Sequence, residues 1–164
     1  MSIKSQYNDE LSYVEFAVEK YSRMLFRISY SILLNEQDAE DALQETFIRY
    51  MTKAPLFRDS EHEKAWLIRV VTNLSKNMTR FRLHQSAHST DELQSIGIDE
   101  NDKGVFEAVM HLPVKYRTVL DLYYIEGYKA NEIAGILGIS DAAVRKRLQY
   151  GRMLLKKELE RSGL

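Results

Sequence analysis

Apolar side chains recur every three or four residues along the first third of the chain. Val14, Val18, Tyr21, Leu25, Ile28 and Ile32 fall on one stripe, which predicts a long amphipathic helix. A second helix follows at once. Asn35 is placed to cap it, with Asp38 three residues on, and Ala39, Ala42, Leu43, Thr46, Phe47 and Tyr50 form its inner side until Pro55 ends the pattern. Its other side is acidic. After the polar stretch from Phe57 to Lys64, a third helix turns Trp66, Leu67, Val70, Val71, Leu74, Met78 and Phe81 inward and Arg69, Asn73, Lys76 and Arg80 outward. From about Gln85 to Gly104 the periodicity dissolves into Ser, Asp, Glu, Asn and Gly, too poor in apolar residues to hold a packed helix. It returns over Val105–Leu112, then from Pro113 to about Glu126, then in a short pair of helices around Gly138.

The expected fold is therefore all-α: an N-terminal helical bundle over residues 1–85, a flexible acidic linker over 86–104 and a C-terminal helix-turn-helix domain over 105–164. Glycine and proline usage agrees, because all seven glycines lie after residue 96 and Pro55 is the one strong helix breaker before it. With no cysteine, the chain offers no disulfide, no thiolate zinc site and no cysteine nucleophile. The N-terminus carries no apolar signal core, and no apolar stretch approaches the roughly 20 residues of a membrane span, so a cytoplasmic protein without direct membrane insertion is expected.

The sharpest motif runs from Ala130 to Leu148. Ala134 is small where two helices cross, Gly138 suits the left-handed turn between them, and Ser140 can cap the second helix. Projected at about 100° per residue, that second helix turns Val144, Leu148, Gly151 and Leu155 inward. The opposite face shows Ala142, Arg145, Lys146 and Gln149, with Arg152 at its edge. Arg and Lys bond guanine edges or phosphates and Gln bonds adenine, so this face has the chemistry of a major-groove reader.

Taken together, the two halves resemble the extracytoplasmic-function (ECF) sigma factors of bacterial RNA polymerase. Asp38-Ala39-Glu40-Asp41-Ala42-Leu43-Gln44-Glu45-Thr46-Phe47 looks like the family's docking signature for the β′ clamp helices, and Ala65 to Asn77 looks like its promoter-melting, −10-reading helix. Leu112-Pro113-Val114-Lys115-Tyr116-Arg117 with the helix-turn-helix is similar to the region that reads the −35 element and touches the β flap. The resemblance implies docking through Asp38, Asp41, Gln44 and Glu45. It implies −10 contacts from Phe57, Arg69, Asn73, Lys76, Asn77 and Arg80, with Phe57 and Asn73 forming a pocket for a flipped base. It implies −35 contacts from Arg117, Ser140, Ala142, Arg145, Lys146 and Gln149. It further implies core RNA polymerase and promoter DNA as partners, sequestration by an anti-sigma factor, and no catalytic residue, cofactor or metal. Thr72 and Asn77 depart from the common family residues Arg and Asp, which points to an altered −10 preference, and Ala143 replaces a common Thr, removing a hydroxyl that could contact a phosphate.

Two other readings compete. A stand-alone regulator would use the same helix-turn-helix without polymerase, but its N-terminal half should then carry a sensor pocket or an apolar dimer seam, whereas here the outer strips are polar and of opposite sign. A metalloenzyme would use His84 and His88, four apart, yet Gln85 stands where a zinc metalloprotease helix has Glu, and no third ligand is evident. Phe57 has an alternative role as a core side chain closing the bundle. The net charge of −1 is an average over unlike parts: −3 over 1–54, +3 over 55–88, −5 over 89–110 and +4 over 111–164. The positive segments are the expected DNA readers.

Overall fold

The computed structural model describes residues 10–81, 99 and 102–163, and all regular structure among them is helical. The chain divides into two compact units, Met1–Arg82 and Leu83–Leu164. Most of the expected linker, with His84 and His88, lies outside the described residues.

In the first unit, α1 (Glu10–Leu33), α2 (Glu36–Lys53) and α3 (Ser60–Phe81) pack around Tyr21, Leu25 and Ile28 of α1, Ala39, Ala42 and Tyr50 of α2, and Leu67, Ile68 and Val71 of α3. Asn35 caps α2 as expected, its Oδ1 accepting the Asp38 N–H at 2.9 Å. The buried row of α1 starts one residue earlier than the hydrophobic stripe predicts: Tyr13 and Ala17 are buried, while Val18 is exposed. A polar contact explains the shift, because the Tyr13 hydroxyl donates to Glu63 at 2.8 Å. The stretch before Trp66 is also more ordered than its polarity indicates. Asp59 accepts the His62 N–H at 2.8 Å, so the helix begins at Ser60 and Glu63 falls in its first turn.

Glu63 is the centre of this unit. Its carboxylate is buried and accepts three phenol hydroxyls, from Tyr13 at 2.8 Å, Tyr21 at 2.9 Å and Tyr50 at 2.7 Å, tying α1 and α2 to α3. The rings of Tyr13 and Tyr50 stack with centroids 5.2 Å apart. Burial, followed by hydrogen bonding to Tyr13 and Glu63, pushes the Tyr50 phenol far above its ordinary value of 10.0. Further along α3, the Thr72 hydroxyl is buried and has no partner among the described residues. Thr72→Val keeps the shape and removes that desolvated group, so it should leave stability unchanged or raise it by about 1 kcal/mol; a clearly lower thermal midpoint would show that the hydroxyl is satisfied.

The second unit comprises α4 (Lys103–Met110), α5 (Val114–Leu120), which runs on into a π-helical turn over Asp121–Ile125, then α6 (Ala130–Leu137) and α7 (Asp141–Arg161). Its hinge is the predicted one. Gly138 takes φ 68° after α6, and Ser140 Oγ accepts the Ala143 N–H at 3.1 Å to start α7. The helix after the turn is not short: it spans 21 residues. Gly151 lets it lie close on α5, since a Cβ there would stand 3.2 Å from Leu120 Cδ1 and 3.4 Å from Tyr116 Cβ. No helix among the described residues is long and apolar enough to cross a membrane.

Candidate nucleic-acid and polymerase interfaces

On α7 the buried residues are Val144, Leu148 and Gly151. This rotation turns Ala142, Arg145, Lys146 and Gln149 to solvent, as the projection predicts. Arg145 is paired with Asp141 one turn earlier at 2.8 Å, which holds its guanidinium over the start of the helix. Ser140 is exposed, but its hydroxyl is occupied as the helix cap. Past Gln149 the strip continues into Arg152, whose Nε donates to the Tyr124 hydroxyl and whose guanidinium lies 5.6 Å from the ring centroids of both Tyr123 and Tyr124.

Arg117 does not join this surface. It is 7% exposed, and its Nη1 donates to the Leu112 carbonyl at 2.6 Å and to that of Met110 at 3.4 Å, closing the end of α4. Burial pushes its guanidinium down to about 10, so it remains a cation at neutral pH and is held by carbonyls rather than offered to phosphate. Arg117, expected among the −35 contacts, is instead a buried brace of this unit.

On α3, Arg69, Asn73 and Asn77 are exposed and Lys76 is half-buried, and their spacing of three and four places them along one strip. Arg80 continues that spacing in the last turn, where its side chain lies outside the described residues. Phe57 does not face outward with them. It is 2% exposed, stacked on Tyr50 with centroids 6.1 Å apart and set edge-on to Trp66 at 5.7 Å. It is the core residue of the two roles considered, and its ring has no free face for a base. Thr72 likewise points into the bundle, so a change of residue type there acts through packing and not through direct contact.

On α2, Asp41 and Gln44 are exposed, and Glu45 is half-buried with Arg49 at 3.3 Å. Asp38 is 5% exposed and belongs to the inner side of the helix, so the strip expected for docking loses its first member. Two exposed apolar residues extend the same row of the helix. Ile48 and Met51 are 50% and 58% exposed and continue the row Gln37, Asp41, Gln44 at intervals of four and three, giving a surface acidic at one end and apolar at the other. The expected strip was drawn from polar residues alone and so omitted them; their helical position relative to Phe47 and Tyr50 was the available signal.

Residues 17–85 match Sigma-70 region 2, and residues 105–155 match Sigma-70, region 4. The ECF RNA polymerase sigma factor SigW of Bacillus subtilis is 30% identical over 161 residues, covering 87% of this chain and 86% of SigW. SigE of Mycolicibacterium smegmatis is also 30% identical, but the chain spans 58% of its length, and it spans 36% of a sigma factor from Xanthomonas campestris pv. campestris. Among solved structures, the sigma factor RpoE from Bartonella quintana, in complex with the anti-sigma factor NepR, shares the fold with a TM-score of 0.68 at 18% identity over 89% of this chain and 96% of that one. CnrH, in complex with the cytosolic domain of CnrY, has a TM-score of 0.64 at 25% identity, covering 90% of this chain and 87% of that one. The chain belongs to the ECF RNA polymerase sigma factors.

Proposed function

We propose that this chain is an alternative sigma factor that binds core RNA polymerase and directs initiation at promoters carrying its own −35 and −10 elements. The observation that carries the reading is the order of parts: a region 2 match on a unit with an acidic-to-apolar docking row and a polar α3 strip, then a region 4 match on a unit whose α7 presents Ala142, Arg145, Lys146 and Gln149. Residues 1–85 would dock on the β′ clamp helices through Asp41, Gln44 and Glu45, and hold the opened −10 region with Arg69, Asn73, Lys76, Asn77 and Arg80. Residues 105–164 would sit by the β flap and read the −35 element, and 86–104 would tether the two. Joining two weak readers raises the effective concentration of the second once the first is bound. The factor contributes binding and no chemistry of its own, and it works in the bacterial cytoplasm, where polymerase is. The complex of the similarly folded RpoE with the anti-sigma factor NepR supports an anti-sigma factor as a further partner.

Transcription from fragmented genomic DNA by core polymerase, with and without this protein, tests the reading. Sequenced transcripts should start at a small set of sites sharing two spaced elements. Tight operator binding by the free chain, with no change in starts, would instead establish a stand-alone regulator.

A further inference from the structure

The cations around the reading face of α7 are of two kinds. On one flank, Arg145 is paired with Asp141 and Arg152 is engaged by Tyr123 and Tyr124. On the other, Lys146 and Arg147 share an open cleft of about 290 Å³ with Lys115 from the start of α5, its remaining walls being Tyr116, Ala143 and Tyr150. Among the described residues, no carboxylate lies within ion-pairing distance of Lys115, Lys146 or Arg147. Three cations are thus gathered with no counter-charge from the described residues. The cleft is also preformed: Tyr116 and Tyr150 stack with centroids 6.0 Å apart and planes 19° from parallel, and the Lys115 ammonium sits 5.0 Å from the Tyr116 ring centroid.

Its position selects the occupant. Ala143, Arg147 and Tyr150 lie about 100° around α7 from the centre of the face formed by Ala142, Lys146 and Gln149. A duplex that takes this face into its major groove carries one phosphodiester strand along each flank of the helix. We infer that the α5–α7 cleft is a phosphate clamp for the promoter strand bordering the −35 major groove, with Lys115 and Arg147 as the principal contacts. Arg offers a planar fork to a phosphate, Lys a point charge and Tyr150 a hydroxyl donor. The clamp reads no base. It fixes the register in which Arg145 and Gln149 meet base edges, and it explains why the second unit spends basic residues on a side of α7 that faces away from the bases. The inference rests on the proposal that α7 reads duplex DNA.

The test uses holoenzyme made with the full chain, bound to a promoter found by the transcript sequencing above and to the same promoter with an altered upstream element. Lys115→Gln with Arg147→Gln should leave the thermal midpoint unchanged, lower affinity for both promoters alike, and reduce the slope of log affinity against log salt by about 2, at about 0.9 per lost phosphate contact. Between roughly 50 and 200 mM KCl, that change in slope amounts to roughly tenfold in affinity. Arg145→Ala with Gln149→Ala should instead change the ratio between the two promoters. An unchanged slope in the first variant, with the second still altering the ratio, overturns the clamp and leaves the reading helix standing. If the second variant is silent too, the reading helix itself fails. Loss of inorganic phosphate binding by the first variant with an intact promoter slope would assign the cleft to a free anion and also overturn the clamp.

Discussion

Glu63→Ala should lower the stability of the N-terminal unit by about 3–5 kcal/mol, the range for removing one side of a buried charged network. The argument follows from the donors. Tyr13, Tyr21 and Tyr50 all give their hydroxyls to this one carboxylate, and deletion leaves three buried phenols to find new acceptors in an apolar bundle. For a unit of this size the expected fall in thermal midpoint is more than about 12 °C, which circular dichroism resolves. Should the alanine variant fail to fold, Glu63→Gln provides a graded case. One amide oxygen still accepts and the amide nitrogen donates to a phenol oxygen, so part of the network survives and the loss should be smaller. A wild-type midpoint in either variant would show that the three hydroxyls contribute nothing. The network also predicts a pH dependence. The Tyr50 phenol is raised in the folded state, so its contribution is complete below the unfolded value of 10.0 and is lost as pH rises above it, where the unfolded chain ionises first. Tyr50→Phe should flatten stability against pH in that alkaline window, and an unchanged curve would contradict the assignment.

The largest functional effect is expected from Arg145→Ala combined with Lys146→Ala. Each good base contact discriminates by about 1–3 kcal/mol, so the pair should reduce initiation at promoters that depend on the upstream element by roughly 30-fold or more. Arg145 is exposed and already oriented by Asp141, so its loss removes a preset donor rather than a packing residue. Run-off transcription on promoters with intact and altered upstream elements is the measurement: the variant should treat both alike. Equal sensitivity of wild-type and variant to the element would remove α7 from promoter recognition.

Helical spacing was enough to locate α1, α2 and α3, because each carries apolar residues at intervals of three and four over five or more turns. Gly138 and Ser140 likewise marked the turn, since a left-handed position and a helix cap are local needs met by particular residue types. Charged residues were harder. Glu63 stands in a run of polar residues and resembles a solvated position; the tyrosines that enclose it come from 50, 42 and 13 residues away and meet it only in the folded chain. Arg117 and Asp38 were assigned to surfaces by residue type, although Arg117 precedes the buried run Thr118-Val119-Leu120 and Asp38 stands one turn before Ala42 in the inner row. Phe57 was undecided between loop and core for a related reason: an aromatic beside a proline-containing turn fits both, and the stacking on Tyr50 that settles its place is a tertiary contact. The outward face of α7 came through intact because two buried residues and a glycine fix its rotation.

The chain has one tryptophan, and the fold puts it in a telling place. Trp66 lies 6.3 Å from Tyr50 and 5.7 Å from Phe57, at the edge of the carboxylate-centred cluster, and the second unit contains tyrosines but no indole. Its emission therefore belongs to the first unit alone. Loosening of the tyrosine cluster, by mutation or by alkali, would change the surroundings of that single fluorophore. The first unit can thus be followed in one intact, unlabelled chain.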